Sequence, residues 1–386
     1  MVDGAALELQ ILIGAPGDGG TPVRVISSPV GETSALAALP VDPDALAPRL
    51  AGLQATVRGA GARDLRDLSG PTVTETSAKE LGAELFDALF AGDMRSLLDR
   101  SRDKAGQGHQ RLRIQLRIES PVVAALPWEL LYDRRHEEFL CLSTRTPVVR
   151  YVELPEVQQP LPMEPPLRIL AMVSSPSDLP ELDFAAERAR MDEALAPLVA
   201  DGRVEIRWLE DRTWHDLQLA LMDGPWHVFH FIGHGSFDEQ LGEGVLALCD
   251  DAGATYRLSA TDLGVLLGDH DSIRLAVLNA CEGARADRVN LFSSSATALV
   301  RRGTPAVVAM QYPISDPVAV ELARTAYAAL VSGQPVDAAL GEARKAAAVG
   351  FPGSFEWATP VLFLRAPDGQ IFDLPRRADA RPGVPL

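Results

Sequence analysis

The sequence predicts an α/β fold with a mainly parallel sheet covered by helices on both faces, preceded by a smaller mixed α/β module. After residue 166, apolar strand-like segments alternate with segments of helical spacing, the pattern of crossover units in a parallel sheet. Before residue 154, period-two segments surround one helical stretch. Between the two halves, "LPEVQQPLPMEPP" carries five prolines in thirteen residues, which is typical of a stiff, extended linker.

Length and composition set the domain organisation. A chain of 386 residues with 47% hydrophobic and 23% charged residues is typical of a globular protein with two or three domains. We divide it into a mixed α/β module that is a candidate sensor (1–153), a Pro-rich linker (154–166), a mainly parallel α/β domain (167–374) and a flexible tail (375–386).

Charge and hydropathy exclude several classes of protein. A net charge of −17 argues against nucleic acid as a partner, because phosphate binding needs a basic surface. No apolar run reaches the roughly 18 residues of a membrane span, and the start lacks the basic segment of a secretory signal. We therefore expect a cytoplasmic protein with no membrane contact. The richness in Ala, Arg, Gly and Pro indicates a bacterial source.

The first half contains four strand-like segments and one helical stretch. The segments "LELQILIG" and "TPVRVIS" alternate across the turn "APGDGG", which predicts a hairpin. A helical stretch follows from Ser77 to Ser101, with leucines near one stripe. The alternating "RLRIQLRIES" predicts a half-buried strand, and "VVRYVELP" predicts another at the end of the module.

The second half predicts six strands, a hairpin and six helices. Asp183, Thr213 and Ser259 are predicted to begin three of the helices as N-caps. The strand segments, in order, are "LRILAMVSS", "RVEIRWL", "WHVFHFI", "IRLAVLNA", "TPAVVAMQY" and "TPVLFLR", with the hairpin around "GVLALCDDAGATYRL".

Two chemically reactive side chains follow neighbouring strands of this pattern. His234 comes after "HVFHFI" between two glycines, and Cys281 comes after "RLAVLNA". In open parallel sheets functional groups gather at the carboxyl ends of strands. If these strands are neighbours, imidazole and thiol come within reach, as a cysteine nucleophile and its base require. The N–H groups of Gly235 and Cys281 are then candidate oxyanion donors.

Each residue also has a structural interpretation. A buried cysteine at a strand end is often a packing residue, as we expect for Cys141 and Cys249. His227, His230 and His234 have spacings that suit zinc on a helix. The segment is strand-like, however, and His227 and His230 would face opposite sides of a strand. We therefore expect no metal and no cofactor.

The motifs together are more specific than any one of them. In order, "HFIGHG", "VLNACEGA", "GTPAVVAMQYPISD" and "SFEWATPVLFLRAPDG" resemble the CHAT family of caspase-like cysteine peptidases. The resemblance covers residues 167 to about 372. A segment that often precedes such domains in bacteria is similar to the part of this chain from "LRIQLRIESPVVAALPWELLYD" through "RTPVVRYVELP". Residues 1 to about 105 resemble no family.

The resemblance implies a six-stranded caspase-type sheet and peptide-bond hydrolysis by a Cys–His dyad without a third acid. His234 matches the family histidine and Cys281 the nucleophile, with Gly235 and the Cys281 amide as oxyanion donors. Related separases, which cut after arginine, carry a Trp-Asp pair where this chain has Tyr312-Pro313. Tyr312, Asp316 and Asp183 are candidates for the substrate pocket. Asp316 is also interpreted as a helix N-cap. The sequence does not distinguish a preference for a basic P1 residue from a preference for an apolar one.

The expected function is a latent endopeptidase of a bacterial antiviral defence or signalling module. Its substrate is a protein, encoded nearby, and an activating partner or ligand would bind the N-terminal module. The alternatives are a catalytically weak caspase-like interaction scaffold and another thiol-dependent hydrolase or acyl transferase. The loop with Arg285 and Arg288 is a candidate site of self-cleavage.

Overall fold

Strands provide the framework of the protein. The computed structural model describes residues 6–42, 48–49, 73–155, 158–209, 212–281, 291–366 and 368–374. The strands within these ranges are β1 (Leu7–Ile13), β2 (Thr21–Ser27), β3 (Thr33–Ala37), β4 (Leu112–Ile118), β5 (Tyr132–Asp133), β6 (Glu138–Phe139), β7 (Val148–Tyr151), β8 (Leu161–Pro162), β9 (Leu167–Val173), β10 (Val204–Trp208), β11 (Val228–Asp238), β12 (Glu243–Cys249), β13 (Thr255–Ser259), β14 (Leu275–Cys281), β15 (Ala306–Met310), β16 (Pro360–Leu364) and β17 (Phe372–Asp373).

Helices connect the strands and cover the sheet. The α-helices of the described residues are α1 (Val73–Leu89), α2 (Asp93–Gln107), α3 (Pro121–Ala124), α4 (Phe184–Ala200), α5 (Trp214–Met222), α6 (Ala260–Gly268), α7 (Leu291–Arg301), α8 (Asp316–Leu330) and α9 (Val336–Gly350). Short 3₁₀ helices span Trp128–Leu130, Leu140–Leu142 and Glu356–Ala358.

The C-terminal half forms the predicted six-stranded, mainly parallel layer. Its strand order is β10-β9-β11-β14-β15-β16, and every pair is parallel except β15 with β16. Apolar residues of α4, α8 and α9 pack on one face and those of α5, α6 and α7 on the other. Successive side chains of a strand alternate between faces, so each strand contributes to both cores. The predicted fold class is confirmed.

The sheet continues into the N-terminal half without a gap. β7 pairs in parallel with β16, and the order then runs β7-β4-β1-β2-β3. The predicted hairpin is present as the antiparallel pair β1–β2. Within the predicted linker, Leu161–Pro162 pairs with Phe372–Asp373. The two halves are therefore joined by backbone hydrogen bonds as well as by the chain.

Two expectations for the N-terminal half are wrong in detail. The helical stretch is two helices, because Gly92, with φ of 54°, adopts a left-handed conformation that interrupts it. β4 is not half-buried: Leu112 to Leu116 are all buried. β4 lies between two strands inside the sheet, and its buried Arg113 is neutralised by Asp337 of α9 at 2.7 Å.

Helix starts follow the predicted capping residues with one exception. Asp183, Thr213 and Ser259 each accept a hydrogen bond from the backbone N–H three residues on, which confirms all three N-caps. The N-cap of α8, however, is Ser315, and Asp316 is the first helical residue. The predicted tail at 375–386 and the arginines of the predicted self-cleavage loop lie outside the described residues.

Candidate active site

Neighbouring parallel strands bring the predicted dyad positions side by side. β11 and β14 pair from Val228↔Leu275 through His234↔Cys281, which is the last pair of the ladder. The backbones of His234 and Cys281 therefore lie opposite each other at the carboxyl edge of the sheet, the edge where α/β proteins place functional groups. β11 does not stop at His234, as the glycines suggested, but continues to Asp238 and pairs there with β12.

A backbone carbonyl orients the His234 ring. Nε2 of His234 lies 2.7 Å from the carbonyl oxygen of Pro180, in the loop between β9 and α4. A carbonyl oxygen only accepts hydrogen bonds, so Nε2 must carry the proton and donate it. In the neutral ring this leaves Nδ1 unprotonated and able to accept a proton.

The glycine before His234 is required by close packing. A Cβ at Gly233 would lie 2.5 Å from the Phe231 ring and 3.1 Å from the Ser174 carbonyl oxygen. Real Cβ atoms do not approach other atoms this closely. A larger residue at position 233 would therefore displace the strand that carries His234.

The glycine after His234 lies where the β11–β14 ladder has ended. The carbonyl of Ile232 accepts from Ser174 N–H at 2.9 Å, so Ile232 directs its peptide groups towards β9. Successive strand residues direct their N–H and C=O groups to opposite neighbours. Gly235, three residues on, therefore directs its N–H to β14, where the last pair, His234↔Cys281, places the Cys281 carbonyl as its acceptor.

The segment after β15 forms the next wall of the site. β15 lies beside β14 in the sheet and ends at Met310, so the segment after it follows at the same carboxyl edge as Cys281. Burial raises the pKa of the Tyr312 hydroxyl, and the Glu129 carboxylate adds to the effect. We define the site wall as residues 311–315, between the end of β15 and the start of α8.

The acidic pocket candidates already have partners in the protein. Asp183 is exposed, and its carboxylate accepts from Ala186 N–H at 3.0 Å as the cap of α4. Asp316 forms an ion pair with Arg190 of α4 at 2.7 Å. This pair joins the first turns of α4 and α8 near the carboxyl edge of the sheet.

Glu187 is an acidic residue of this region that sequence reasoning missed. Its side chain is only 12% exposed and also pairs with Arg190, at 2.9 Å. Burial and the neighbouring Asp316 carboxylate raise the pKa of Glu187 to about 7. Glu187 and Asn279 line a cavity of about 50 Å³ between the sheet and α8. Its place one turn after Asp183 on the same helix was the available signal.

The other two histidines of the predicted metal-like spacing, His227 and His230, are hydrogen-bonded within the protein. His230 is buried, and its Nδ1 lies 2.6 Å from the Tyr327 hydroxyl. His227 Nδ1 accepts from Arg168 N–H at 2.9 Å. Burial lowers the pKa of both imidazoles to about 4, so both are neutral at pH 7. No cluster of three metal-ligating side chains occurs among the described residues.

The other two cysteines are buried packing residues, as predicted. Cys141 is fully buried, and burial raises its thiol pKa to about 11. Cys249 is also buried, with its Sγ 3.8 Å from the Ser174 hydroxyl. A thiol that stays protonated at pH 7 is a poor nucleophile, so Cys141 cannot replace Cys281 in that role.

A large α/β sheet with histidine and cysteine positions paired at its carboxyl edge defines the class of caspase-like cysteine peptidase folds. The CHAT domain family matches residues 79–363, on both sides of the Pro-rich segment. The chain belongs to the CHAT domain family.

Solved structures agree with this fold class. Two crystal structures of the Saccharomyces cerevisiae separase–securin complex superpose with TM-scores of 0.53 and 0.51 at 11% identity. Each match covers 93% of this chain, which spans only 30% of the separase chain. The Arg-specific cysteine proteinase gingipain R matches with a TM-score of 0.42 at 10% identity, over 84% of this chain and 76% of its own.

Two further findings concern curated relatives and membrane-spanning helices. No curated protein matches the sequence. Of the helices that the structure describes, none is both long and apolar enough to cross a lipid bilayer.

Proposed function

We propose that this protein is a cysteine endopeptidase that cleaves a protein substrate through Cys281 and His234. The observation that carries the proposal is the β11–β14 register, which pairs these two positions at the end of the ladder. The hydrogen bond from His234 Nε2 to Pro180 supports it, because it leaves Nδ1 free to act as a base.

The proposed reaction has two steps. The Cys281 thiol gives its proton to His234 Nδ1, and the thiolate attacks the peptide carbonyl carbon to form a tetrahedral oxyanion. The N–H groups of Gly235 and Cys281 stabilise that oxyanion once they have left the end of the β11–β14 ladder, where both are hydrogen-bonded in this structure. The C–N bond then breaks as His234 protonates the leaving amine, and water hydrolyses the resulting thioester. The Pro180 carbonyl orients the His234 ring, as the acidic third residue does in a catalytic triad.

We further propose that the peptidase is latent until a partner or ligand acts on the N-terminal module. The continuous sheet supports this proposal, because β7 pairs directly with β16, the strand beside β15. The role in bacterial defence or signalling, and a protein substrate encoded nearby, belong to the same proposal and rest on the family resemblance alone.

The proposal is tested by incubating wild type and Cys281→Ala with a peptide library and with proteins encoded nearby. Wild type is expected to cleave and Cys281→Ala to lose cleavage by roughly 10⁵-fold or more, because removing a nucleophile removes the whole covalent route. Equal cleavage by both proteins would exclude Cys281 as the nucleophile. Partner binding without cleavage by either protein would favour the interaction scaffold.

The Glu187 cluster predicts how substrate preference depends on pH. We propose that Glu187 receives a basic P1 side chain in place of Arg190. Its raised pKa of about 7 means that the carboxylate gains its negative charge as pH rises through 7. The ionised fraction then rises from about a tenth at pH 6 to about nine tenths at pH 8, so the preference for an Arg over a Leu P1 residue should rise roughly tenfold.

The measurement is the ratio of kcat/KM for two matched peptides that differ only at P1. Glu187→Gln should give a low ratio that does not change between pH 6 and pH 8. Asp192→Asn is the control and should keep the wild-type profile, because Asp192 pairs with Arg188 on the same helix and asparagine keeps the oxygen that accepts from Trp208 Nε1. A ratio that is flat in wild type would exclude Glu187 as the P1 receptor.

A further inference from the structure

The site wall is held at both of its ends by side-chain hydrogen bonds. At its start, the Gln311 amide nitrogen donates to the Ala358 carbonyl at 2.7 Å and to Glu129 Oε2 at 3.0 Å. At its end, Ser315 N–H donates to the Glu356 carboxylate at 2.5 Å. Ala358 and Glu356 belong to one 3₁₀ helix of the C-terminal half, whereas Glu129 belongs to the N-terminal half.

Glu129 is itself fixed by a buried ion pair. Its carboxylate receives two hydrogen bonds from Arg150, from Nε at 3.2 Å and from Nη2 at 2.8 Å. Both side chains are nearly inaccessible to solvent. Arg150 lies on β7 opposite Phe363 of β16, so the pair sits where the two halves of the sheet meet. A bidentate buried pair of this kind has one geometry and holds its carboxylate rigidly.

The Gln311 amide has only one orientation available. If the amide were flipped, its oxygen would face the Glu129 carboxylate, and both groups would be acceptors. In the observed orientation the Gln311 amide oxygen is buried and accepts no hydrogen bond from the described residues. Burying an unsatisfied acceptor costs free energy, and such groups are retained mainly where a constraint elsewhere requires them. The constraint here is the pair of acceptors that the amide nitrogen contacts, the Ala358 carbonyl and the Glu129 carboxylate.

We propose that Gln311 is a positioning residue through which Glu129 of the N-terminal half sets the substrate-facing wall of the active site. Gln311 is the first residue after β15, the strand that lies beside β14 and its Cys281. Displacing the 3₁₀ helix that carries Glu129, relative to β15, moves the start of the wall. The N-terminal half thereby controls substrate binding rather than the reactivity of the thiol. This inference rests on the proposed peptidase function.

The test replaces Gln311 with methionine, which keeps the length of the side chain and removes the donor. Glu129 keeps both hydrogen bonds from Arg150, so Gln311→Met should fold. The control is Gln115→Met, at a buried glutamine whose amide nitrogen also donates to a glutamate, Glu8, at 3.1 Å. The control removes an equivalent bond from β4, away from the wall.

Two measurements follow. Hydrogen–deuterium exchange of residues 311–316 should be about tenfold faster in Gln311→Met and unchanged in Gln115→Met, because the local opening loses one hydrogen bond to a charged group. With a peptide cleaved by wild type, KM should rise about tenfold in Gln311→Met with kcat within about threefold, the signature of lost binding. The rate of Cys281 alkylation by iodoacetamide should stay at the wild-type value.

Each outcome decides one of the two proposals. If exchange at 311–316 and KM change no more than in Gln115→Met, Gln311 does not position the wall. If kcat and the alkylation rate fall while KM is unchanged, Gln311 acts on the dyad and the inference is wrong. If wild type cleaves nothing, as a latent peptidase without its activator would, exchange at 311–316 alone decides whether Glu129 is coupled to the wall.

Discussion

Replacing His234 with alanine is expected to lower kcat/KM for a cleaved peptide by about 10³-fold without unfolding the protein, because a general base contributes roughly 10² to 10⁴. His234 is only partly buried, and its described side-chain hydrogen bond is the one to Pro180. The variant loses the group that takes the thiol proton and later protonates the leaving amine. His234→Gln should be equally inactive, since an amide cannot accept and return a proton at neutral pH.

His215 offers a matched control. It is an exposed histidine on α5, stacked against Trp214. His215→Ala should keep kcat/KM within about twofold of wild type, as expected for a surface residue outside the site. Circular dichroism melting confirms that the variants are folded. A folded His234→Ala protein that cleaves at the wild-type rate would remove His234 from the mechanism.

Replacing Glu129 with alanine is expected to lower the free energy of unfolding by about 3 to 5 kcal/mol, because it leaves the buried Arg150 charge without its partner. Arg150 keeps its backbone acceptors, the carbonyls of Ala124 and Leu126, but loses the carboxylate to which it donates two hydrogen bonds. The loss is measured as the change in unfolding free energy in urea.

Two controls test whether the unpaired Arg150 charge causes the loss of stability: a variant in a surface ion pair and a double variant. Asp87 pairs with Arg134 with both side chains 57% exposed, so Asp87→Ala should cost at most about 1 kcal/mol. The double variant Glu129→Met with Arg150→Met should be more stable than Glu129→Ala, because apolar side chains of similar volume often replace a buried pair at little cost. A double variant as unstable as the single one would show that packing, and not the unpaired charge, causes the loss.

The sequence predicts the C-terminal half well because its signals are local. Alternating apolar strands and capping residues such as Thr213 depend on neighbours within a few positions. The pairing of His234 with Cys281 also follows from strand order in a parallel sheet. These features need no knowledge of distant contacts.

Features that depend on distant contacts could not be predicted. Pro180 contributes a backbone carbonyl, and no side-chain pattern marks it. Arg113 is part of an alternating segment typical of a solvent-facing strand, yet Asp337, more than 200 positions later, makes its burial acceptable. The contact of Gln311 with Glu129 likewise spans 182 positions.

The continuous sheet changes the expected relation between the two halves of the chain. A Pro-rich linker suggests two halves that move independently, but β7 pairs with β16 across the predicted boundary. Buried charges also cross it, from Arg113 on β4 to Asp337 on α9. The proposed control of the C-terminal half by the N-terminal half therefore requires small displacements along a shared sheet, which a contact such as that of Gln311 can transmit.

The proposed Cys281–His234 dyad is tested most directly by the alkylation rate of each cysteine in the native protein, measured as a function of pH by peptide mass spectrometry. If Cys281 is the nucleophile and His234 its base, iodoacetamide should modify Cys281 at pH 7 about tenfold faster or more than Cys141 and Cys249, because a nearby imidazolium favours the thiolate. In His234→Ala that advantage should vanish at pH 7 and return only as pH rises towards the ordinary thiol pKa. Preferred modification of Cys141 or Cys249, or an unchanged Cys281 profile in His234→Ala, would contradict the proposed dyad.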